Sequence, residues 1–289
     1  MTSRADTAWT AHKADAGTAY WDDAYSNGVY IEGGDAYPAR WAAEAAAFRQ
    51  ALSAKKRAEL DQPYGPLPRE RFDLFLPVGP AQGTFVFVHG GYWMEFDKSS
   101  WSHLATGALA RGWAVAMPSY SLCPEVRVSE ITAQVARAIV AIASGSIGGL
   151  ALAGHSAGGH LVTRLACADS ALPAPVRARI RHTVSISGLH DLRPLLKTTM
   201  NETLRLDATE AARESPALLM PMPGARVTCR VGTKERPEFI RQNALLANIW
   251  AGLGAQISEC QAEGRHHFDV VEDLADPDSG LISALLGDS

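Results

Sequence analysis

Residues 149–165 read GLALAGHSAGGHLVTRL, and this stretch decides the fold. Its first part, Gly149–Ala153, is a short apolar run that predicts a buried strand, and its last part has helical spacing. Between them the pattern G-x-S-x-G runs from Gly154 to Gly158, with Ser156 at its centre. Strand, sharp turn and helix in this order raise a serine hydroxyl at the edge of a sheet. Glycines are needed there because side chains would collide in so tight a bend.

The rest of the chain alternates between short apolar runs and segments with helical spacing. The runs that predict strands are Phe72–Leu76, Thr84–His89, Trp113–Met117, Gly149–Ala153, His182–Ser187, Val227–Val231 and Ala255–Cys260. Such runs are typical of strands buried on both faces of a mostly parallel sheet. Helical spacing appears within residues 131–142 and 239–253, and the alanine-rich stretch Trp41–Leu60 predicts a further helix. The alternation predicts an α/β fold with a doubly wound, mostly parallel sheet.

No linker, repeat or low-complexity tract divides the 289 residues, so we expect a single domain over 1–289. One segment breaks the alternation. Residues 191–222 are largely polar and are interrupted by Pro194, Pro216 and Pro221. We expect this insertion to form a small helical cap over a pocket at the top of the sheet.

Composition excludes several classes of protein. The chain has 27 Lys and Arg against 31 Asp and Glu, a net charge of −4, and 47% hydrophobic residues. These values do not fit a disordered chain or one that coats nucleic acid or an anionic membrane. No run approaches the about 18 apolar residues of a spanning helix, and the first twenty residues lack the apolar core of a secretory signal. We therefore expect a cytoplasmic protein with no nucleic-acid or membrane partner.

The cysteines and histidines do not predict a metal site. The cysteines are far apart and form no C-x-x-C pair; they are Cys123, Cys167, Cys229 and Cys260. The nine histidines have neither H-E-x-x-H nor H-x-H spacing. We predict no metal, no cofactor and no disulfide scaffold.

A serine hydroxyl needs a base to take its proton and fixed donors to stabilise the oxyanion. The sequence HGGYW at His89–Trp93 directly follows a predicted strand, and its glycines leave amide N–H groups free to face a ligand. We predict the amides of Gly91 and Tyr92, together with that of Ala157 next to the serine, as the donors of an oxyanion hole.

The acid and the base are expected after the serine in the chain, in loops that follow later strands. The turn after the last predicted strand carries His267, which we predict as the base, with His266 as the alternative. Glu235 lies in the loop after the preceding strand, and we predict it as the acid that orients the imidazole. Glu238 has a simpler explanation, because a carboxylate is favoured in the first turn of a helix. Weaker alternatives for the acid are Asp191, Asp207 and Asp269.

These motifs resemble those of the α/β-hydrolase superfamily. More narrowly, they resemble its kynurenine formamidase (arylformamidase) branch and related carboxylesterases near the hormone-sensitive-lipase group. The resemblance covers most of the chain and rests on HGGYW at His89–Trp93, GHSAGGHL at Gly154–Leu161, GTKERPEFIRQ at Gly232–Gln242 and HHFDVVEDL at His266–Leu274. The stretch Tyr25–Trp41 also resembles the amino-terminal segment that lies over the active site in that branch.

The resemblance implies that Ser156 is the nucleophile, His267 the base, and Gly91 and Tyr92 the oxyanion donors. Many relatives carry Asp where this chain has Glu235, so the acid is a departure from the pattern. Relatives are often dimers, and a homodimer is the assembly that the resemblance suggests.

The motifs and the resemblance together predict a serine hydrolase that cleaves a small acyl ester or an aryl formamide through an acyl-enzyme. A general short-chain carboxylesterase is the alternative within this class. A non-catalytic ligand-binding protein with the same fold is the alternative outside it. Trp93 and Tyr25 are candidate substrate-binding residues, because aromatic side chains suit a flat substrate.

Overall fold

An eight-stranded sheet runs through the computed structural model, which describes residues 17–287. Its strands are β1 (Ala58–Pro63), β2 (Arg71–Phe75), β3 (Gly83–Val88), β4 (Ala114–Pro118), β5 (Gly149–His155), β6 (Ile180–Ile186), β7 (Arg226–Gly232) and β8 (Gln256–Ala262). Their order across the sheet is β1-β2-β4-β3-β5-β6-β7-β8. The pairs β1–β2 and β2–β4 are antiparallel, and the remaining pairs are parallel. The predicted doubly wound, mostly parallel sheet is confirmed.

Helices cover both faces of this sheet. The α-helices of the described chain are α1 (Thr18–Tyr25), α2 (Tyr37–Ala54), α3 (Thr106–Ala110), α4 (Val128–Ser144), α5 (Ala157–Leu165), α6 (Ala174–Arg177), α7 (Asn201–Leu204), α8 (Ala208–Arg213), α9 (Pro237–Ala251) and α10 (Gly280–Leu286). Short 3-10 turns lie at Gly28–Tyr30, Gly34–Ala36, Lys98–Ser100, Ser102–Ala105, Arg193–Lys197, Pro216–Leu218 and Glu272–Ala275. No helix within residues 17–287 is long and apolar enough to cross a membrane.

The fully buried strands β3 and β5 have core on both sides because successive side chains of a strand point to opposite faces. In β3, Val86 and Val88 belong to the cluster that includes the apolar stripe of α4. Phe85 and Phe87 belong to the opposite cluster, with Trp101 and residues of α10. This arrangement explains why the central strands read as continuous apolar runs rather than as alternating ones.

The predicted helix over Trp41–Leu60 is wrong at its carboxyl end. Helix α2 ends at Ala54, and the chain turns through Lys56, which has a φ of 55°, before it enters β1. Strand β1 is mostly exposed and carries an irregularity between Glu59 and Gln62. An edge strand of this kind has no apolar alternation, so no periodic pattern predicts it.

Residues 191–222, where we expect a cap, are held to the body of the protein by buried polar contacts. Residues 191–222 contain α7, α8 and two of the 3-10 turns. Glu210 of α8 is buried and accepts hydrogen bonds from the backbone and the hydroxyl of Ser129, at the start of α4. Asp22 of α1 accepts a hydrogen bond of 2.7 Å from the backbone of Thr199. The amino-terminal segment and the cap therefore meet above the carboxyl ends of the strands.

Candidate active site

Ser156 lies on the bend between β5 and α5 in a strained backbone conformation, with φ 55° and ψ −117°. Its amide donates a hydrogen bond of 2.8 Å to the carbonyl of Ile186, which fixes the bend to the neighbouring strand. A Cβ at Gly158 would lie 2.0 Å from the carbonyl oxygen of Val88. The glycines of the motif are therefore required by close backbone contacts on both sides of the serine.

His267 and Glu235 form a buried pair. The imidazole Nδ1 lies 2.7 Å from a carboxylate oxygen, Oε2, of Glu235. The other oxygen, Oε1, accepts hydrogen bonds of 2.5 Å from the hydroxyl of Ser187 and 2.8 Å from the amide of Gly232. Because the carboxylate accepts at Nδ1, that nitrogen carries a proton and Nε2 is left as the free basic nitrogen.

Ser156 and His267 line the same cavity. Within residues 17–287 the serine hydroxyl makes no direct hydrogen bond to the imidazole, although both side chains line the cavity. Hydrogen bonds between a nucleophile and its base are often loose in the absence of substrate. The structure brings the three predicted side chains Ser156, His267 and Glu235 to one end of the sheet.

The loop after β3 presents amides beside the serine. Gly91 has a φ of 107° and Tyr92 a φ of 47°, and both residues line the cavity with Ser156. The imidazole of His89 donates from Nδ1 to the carbonyl of Gly90 at 2.7 Å and stacks on Tyr120 at 4.2 Å. A peptide carries its C=O and N–H on opposite sides, so this bond turns the amide of Gly91 away from His89. Among the described residues, the amide N–H groups of Gly91, Tyr92 and Ala157 donate no hydrogen bond.

A cavity of about 520 Å³ opens above these groups. One wall is aromatic and includes Trp41, Phe96, Trp101 and Phe268, with the rings of Trp41 and Trp101 4.6 Å apart. The amino-terminal segment and the cap complete the enclosure, the latter through Thr199 and Met200. The volume and the aromatic lining are typical of a small-molecule site.

The two predicted substrate-binding residues differ in their positions. Tyr25 lines the cavity, while its hydroxyl donates to Glu238 at 2.9 Å. Trp93 is fully buried, is absent from the cavity wall and packs edge-on against His160. The loop's backbone turns this ring down into the core, and the contact of Trp93 with substrate stays a prediction.

The alternatives for base and acid lie elsewhere. The Nε2 of His266 lies 3.1 Å from the hydroxyl of Tyr37, and His266 does not line the cavity. Asp191 binds Arg193, Asp207 binds Arg127, and Asp269 accepts from the backbone of His266. None of these three carboxylates contacts His267 in the described chain.

Two residues of the site were missed by sequence reasoning. Ser187 directly follows β6 and holds Glu235, and its place at the carboxyl end of a strand is the signal that could have found it. The Nε2 of His155 lies 2.8 Å from the carbonyl oxygen of His267. The ring centres of the two histidines are 4.7 Å apart. Burial holds the pKa of His155 well below its usual value, so it is a neutral donor that supports the loop.

Comparison with known proteins assigns the chain to a family. A family model for the alpha/beta hydrolase fold matches residues 85–225. A kynurenine formamidase from Danio rerio is 30% identical over 236 residues, which cover 78% of this chain and 80% of the relative. The chain belongs to the α/β-hydrolase superfamily, in its kynurenine formamidase family. It is a hydrolase.

Solved structures agree with this assignment. A crystal structure of a candidate thioesterase from a Silicibacter species is 55% identical, has a TM-score of 0.87, and matches 91% of this hydrolase and 98% of that chain. Esterase B from Lactobacillus rhamnosis has a TM-score of 0.59 at 16% identity, matching 87% of this chain and 92% of its own. At that identity the second structure supports the fold alone.

Buried neutral histidines make the stability of this hydrolase depend on pH. Burial lowers the pKa of His89 and of His190 to about 4, and that of His160 to about 3. Between about pH 6.5 and about pH 4 the unfolded chain binds protons that the folded chain does not, so the free energy of unfolding falls as the pH falls. His89 and His190 each contribute on the order of 3 kcal/mol at neutral pH that is lost across this window, and the loss for His160 continues down to about pH 3.

We expect urea unfolding to give a steep fall in stability from about pH 6.5 down to about pH 4.5, and little change from these histidines above about pH 7.5. The variant His89→Gln should have a shallower slope over the acid window, whatever its stability at neutral pH. An equal slope in the variant and the parent would contradict the assignment of His89 as a neutral buried group.

Proposed function

We propose that this hydrolase cleaves small acyl esters or aryl formamides through an acyl-enzyme formed on Ser156. The Nε2 of His267 takes the serine proton while Oγ attacks the acyl carbonyl carbon. The amides of Gly91, Tyr92 and Ala157 stabilise the oxyanion. The proton then passes from His267 to the leaving alcohol or arylamine, and the C–O or C–N bond breaks.

Water completes the cycle. His267 takes a proton from a water molecule, whose oxygen attacks the acyl-enzyme, and the same proton returns to Ser156 as the carboxylic acid is released. Glu235 acts through His267, since its carboxylate orients the ring and stabilises the imidazolium.

One observation carries this proposal. The strained Ser156 shares a cavity with an imidazole whose Nδ1 is held by a buried carboxylate at 2.7 Å, beside a loop with unbound amides. This combination supports nucleophilic catalysis over passive binding, because a binding pocket has no need for a strained hydroxyl, a polarised base and free donors together.

The relatives and the cavity support this choice of substrate class. The Danio rerio relative is named a kynurenine formamidase and the Silicibacter structure a candidate thioesterase. Both names describe transfer of an acyl group to water. A cavity of about 520 Å³ with an aromatic wall suits a short acyl group on an aromatic leaving group, which is why we place aryl formamides and aryl esters before aliphatic esters. A general short-chain carboxylesterase is the second candidate.

Covalent labelling tests the mechanism directly. We expect a fluorophosphonate probe to label the folded protein, with mass spectrometry of the digest locating the adduct on Ser156. The ratio of kcat/KM for formanilide to that for phenyl acetate then separates a formamidase from an esterase. An unlabelled, folded protein would favour the non-catalytic alternative, and a label on another residue would refute the assigned nucleophile.

A further inference from the structure

The side chain of Tyr92 joins the loop after β3 to the amino-terminal segment. Its hydroxyl donates a hydrogen bond of 2.5 Å to the backbone carbonyl of Tyr25, the last residue of α1. The Nδ2 of the buried Asn27 lies 3.5 Å from the same hydroxyl. All three residues line the cavity that contains Ser156. A residue whose amide is a proposed oxyanion donor is therefore held, through its side chain, by a distant part of the chain.

The end of this contact at Tyr25 is fixed independently of the loop. The hydroxyl of Tyr25 donates to Glu238 at 2.9 Å and lies 3.2 Å from the donor nitrogen of Gln242, and both partners belong to α9. Asp22, on the same helix as Tyr25, accepts a hydrogen bond from the backbone of Thr199. Because Tyr25 is also fully buried, its carbonyl is a fixed acceptor for the loop.

The end of the contact in the loop is strained. Gly91, Tyr92 and Trp93 have successive positive φ values of 107°, 47° and 58°. Such conformations persist in non-glycine residues only where the surrounding structure holds them. The carbonyl of Gly91 accepts from the amides of Met94 and Glu95, which sets the internal shape of the loop. Within residues 17–287, neither the amide nor the carbonyl of Tyr92 makes a hydrogen bond, so its hydroxyl is its polar link to the cavity wall.

We propose that Tyr92 is a positioning residue, whose hydroxyl bond to Tyr25 sets the distance from the loop amides to Ser156. The inference rests on the proposed function, because it concerns the oxyanion donors of that reaction. It also gives the amino-terminal segment a part in catalysis beyond enclosing the cavity. Negative charge develops on the acyl oxygen only as Ser156 attacks. A misplaced amide therefore weakens the transition state far more than it weakens the bound substrate.

Two ketones separate these effects. With 2,2,2-trifluoroacetophenone, Oγ of Ser156 bonds to the carbonyl carbon, the serine proton passes to Nε2 of His267, and the carbonyl oxygen becomes an oxyanion. The far less electrophilic 4-fluoroacetophenone binds as the intact ketone and carries no such charge. Fluorine NMR titration gives the dissociation constant of each ketone and requires no turnover.

The variant Tyr92→Phe keeps the ring and removes the hydroxyl bond. We expect it to raise the dissociation constant of the trifluoromethyl ketone about tenfold and to change that of 4-fluoroacetophenone by less than about twofold. Tyr64→Phe is the matched control, because the hydroxyl of Tyr64 also donates to a backbone carbonyl, that of Ser119 at 2.6 Å, but lies outside the cavity. It should leave both constants at the parent values. A purely structural role for Tyr92 would lower the unfolding temperature and leave both constants unchanged.

A second variant tests the route through the amino-terminal segment. Tyr25→Phe removes the bonds to Glu238 and Gln242 and loosens the acceptor of Tyr92. We expect it to weaken binding of the trifluoromethyl ketone, and the double variant Tyr25→Phe/Tyr92→Phe to lose no more than Tyr92→Phe alone, because both changes act through one contact. Fully additive losses would overturn this route. Dissociation constants describe the folded molecules, so a partly unfolded variant remains informative.

The outcomes separate the two proposals. If Tyr92→Phe binds both ketones as the parent does, or weakens both equally, the positioning role is overturned while the hydrolase mechanism stands. If the parent protein forms no adduct with the trifluoromethyl ketone, the acyl-enzyme mechanism is overturned and the role of Tyr92 in it is overturned as well. A selective loss for the trifluoromethyl ketone in Tyr92→Phe, absent from Tyr64→Phe, supports the inference.

Discussion

The variant Ser156→Ala is expected to lose at least about 10⁴-fold in kcat for its best ester or formamide substrate. The reason is that the proposed mechanism forms the acyl-enzyme on Ser156, while the proposed oxyanion donors and the cavity survive and leave only residual catalysis. Alanine keeps a Cβ at a position with a φ of 55°, so the backbone strain is unchanged. The loss should therefore fall on the chemical step and not on the stability of the fold.

Steady-state kinetics with the substrate that the parent enzyme cleaves fastest measure this loss, and thermal unfolding checks the fold. Ser144→Ala is a suitable control, because Ser144 is exposed at the end of α4 and its hydroxyl donates to the carbonyl of Ala141. We expect this control to retain the parent kcat and to be labelled by the fluorophosphonate probe as the parent is, because Ser156 is unchanged. A Ser156→Ala enzyme with unchanged turnover would exclude the acyl-enzyme mechanism.

The strand-to-helix bend was predictable because its constraint is local. The sequence around Ser156 needs glycines where a Cβ would meet the backbone of β3, and these contacts leave a recognisable pattern. The loop position of Glu235 and that of His267 were predictable for the same reason, since each follows an apolar run. Their 2.7 Å contact, 32 residues apart in the chain, needed the sheet order to bring β7 and β8 side by side.

Features set by tertiary packing were not predictable. Trp93 belongs to a motif beside Ser156, yet the positive φ values of Tyr92 and Trp93 turn its ring into the core. Strand β1 is mostly exposed and lacks alternation, so no periodic pattern revealed it. The hydroxyl of Tyr92 donates a hydrogen bond to the backbone carbonyl of Tyr25, 67 residues away in the chain, and no local pattern encodes that contact.

The variant Glu235→Gln is expected to lower kcat by about 10³- to 10⁴-fold, although it preserves the shape of the side chain. In the parent, Oε1 of Glu235 accepts from the hydroxyl of Ser187 and the amide of Gly232. A glutamine would keep its oxygen with these two donors and turn its N–H₂ toward His267. The imidazole would then accept at Nδ1 and carry its proton on Nε2, the nitrogen that must receive the proton of Ser156.

Two further variants isolate this effect. Glu238→Gln removes a carboxylate that is also buried, but Glu238 binds Tyr25 and Arg241 and does not contact His267, so we expect a loss of no more than about tenfold. Glu235→Asp keeps a negative acceptor one methylene shorter and should retain much more activity than the glutamine variant. Kinetics on folded, purified protein compare the three. If Glu235→Gln and Glu238→Gln lose activity equally, then Glu235 stabilises the loop and does not set the tautomer of His267.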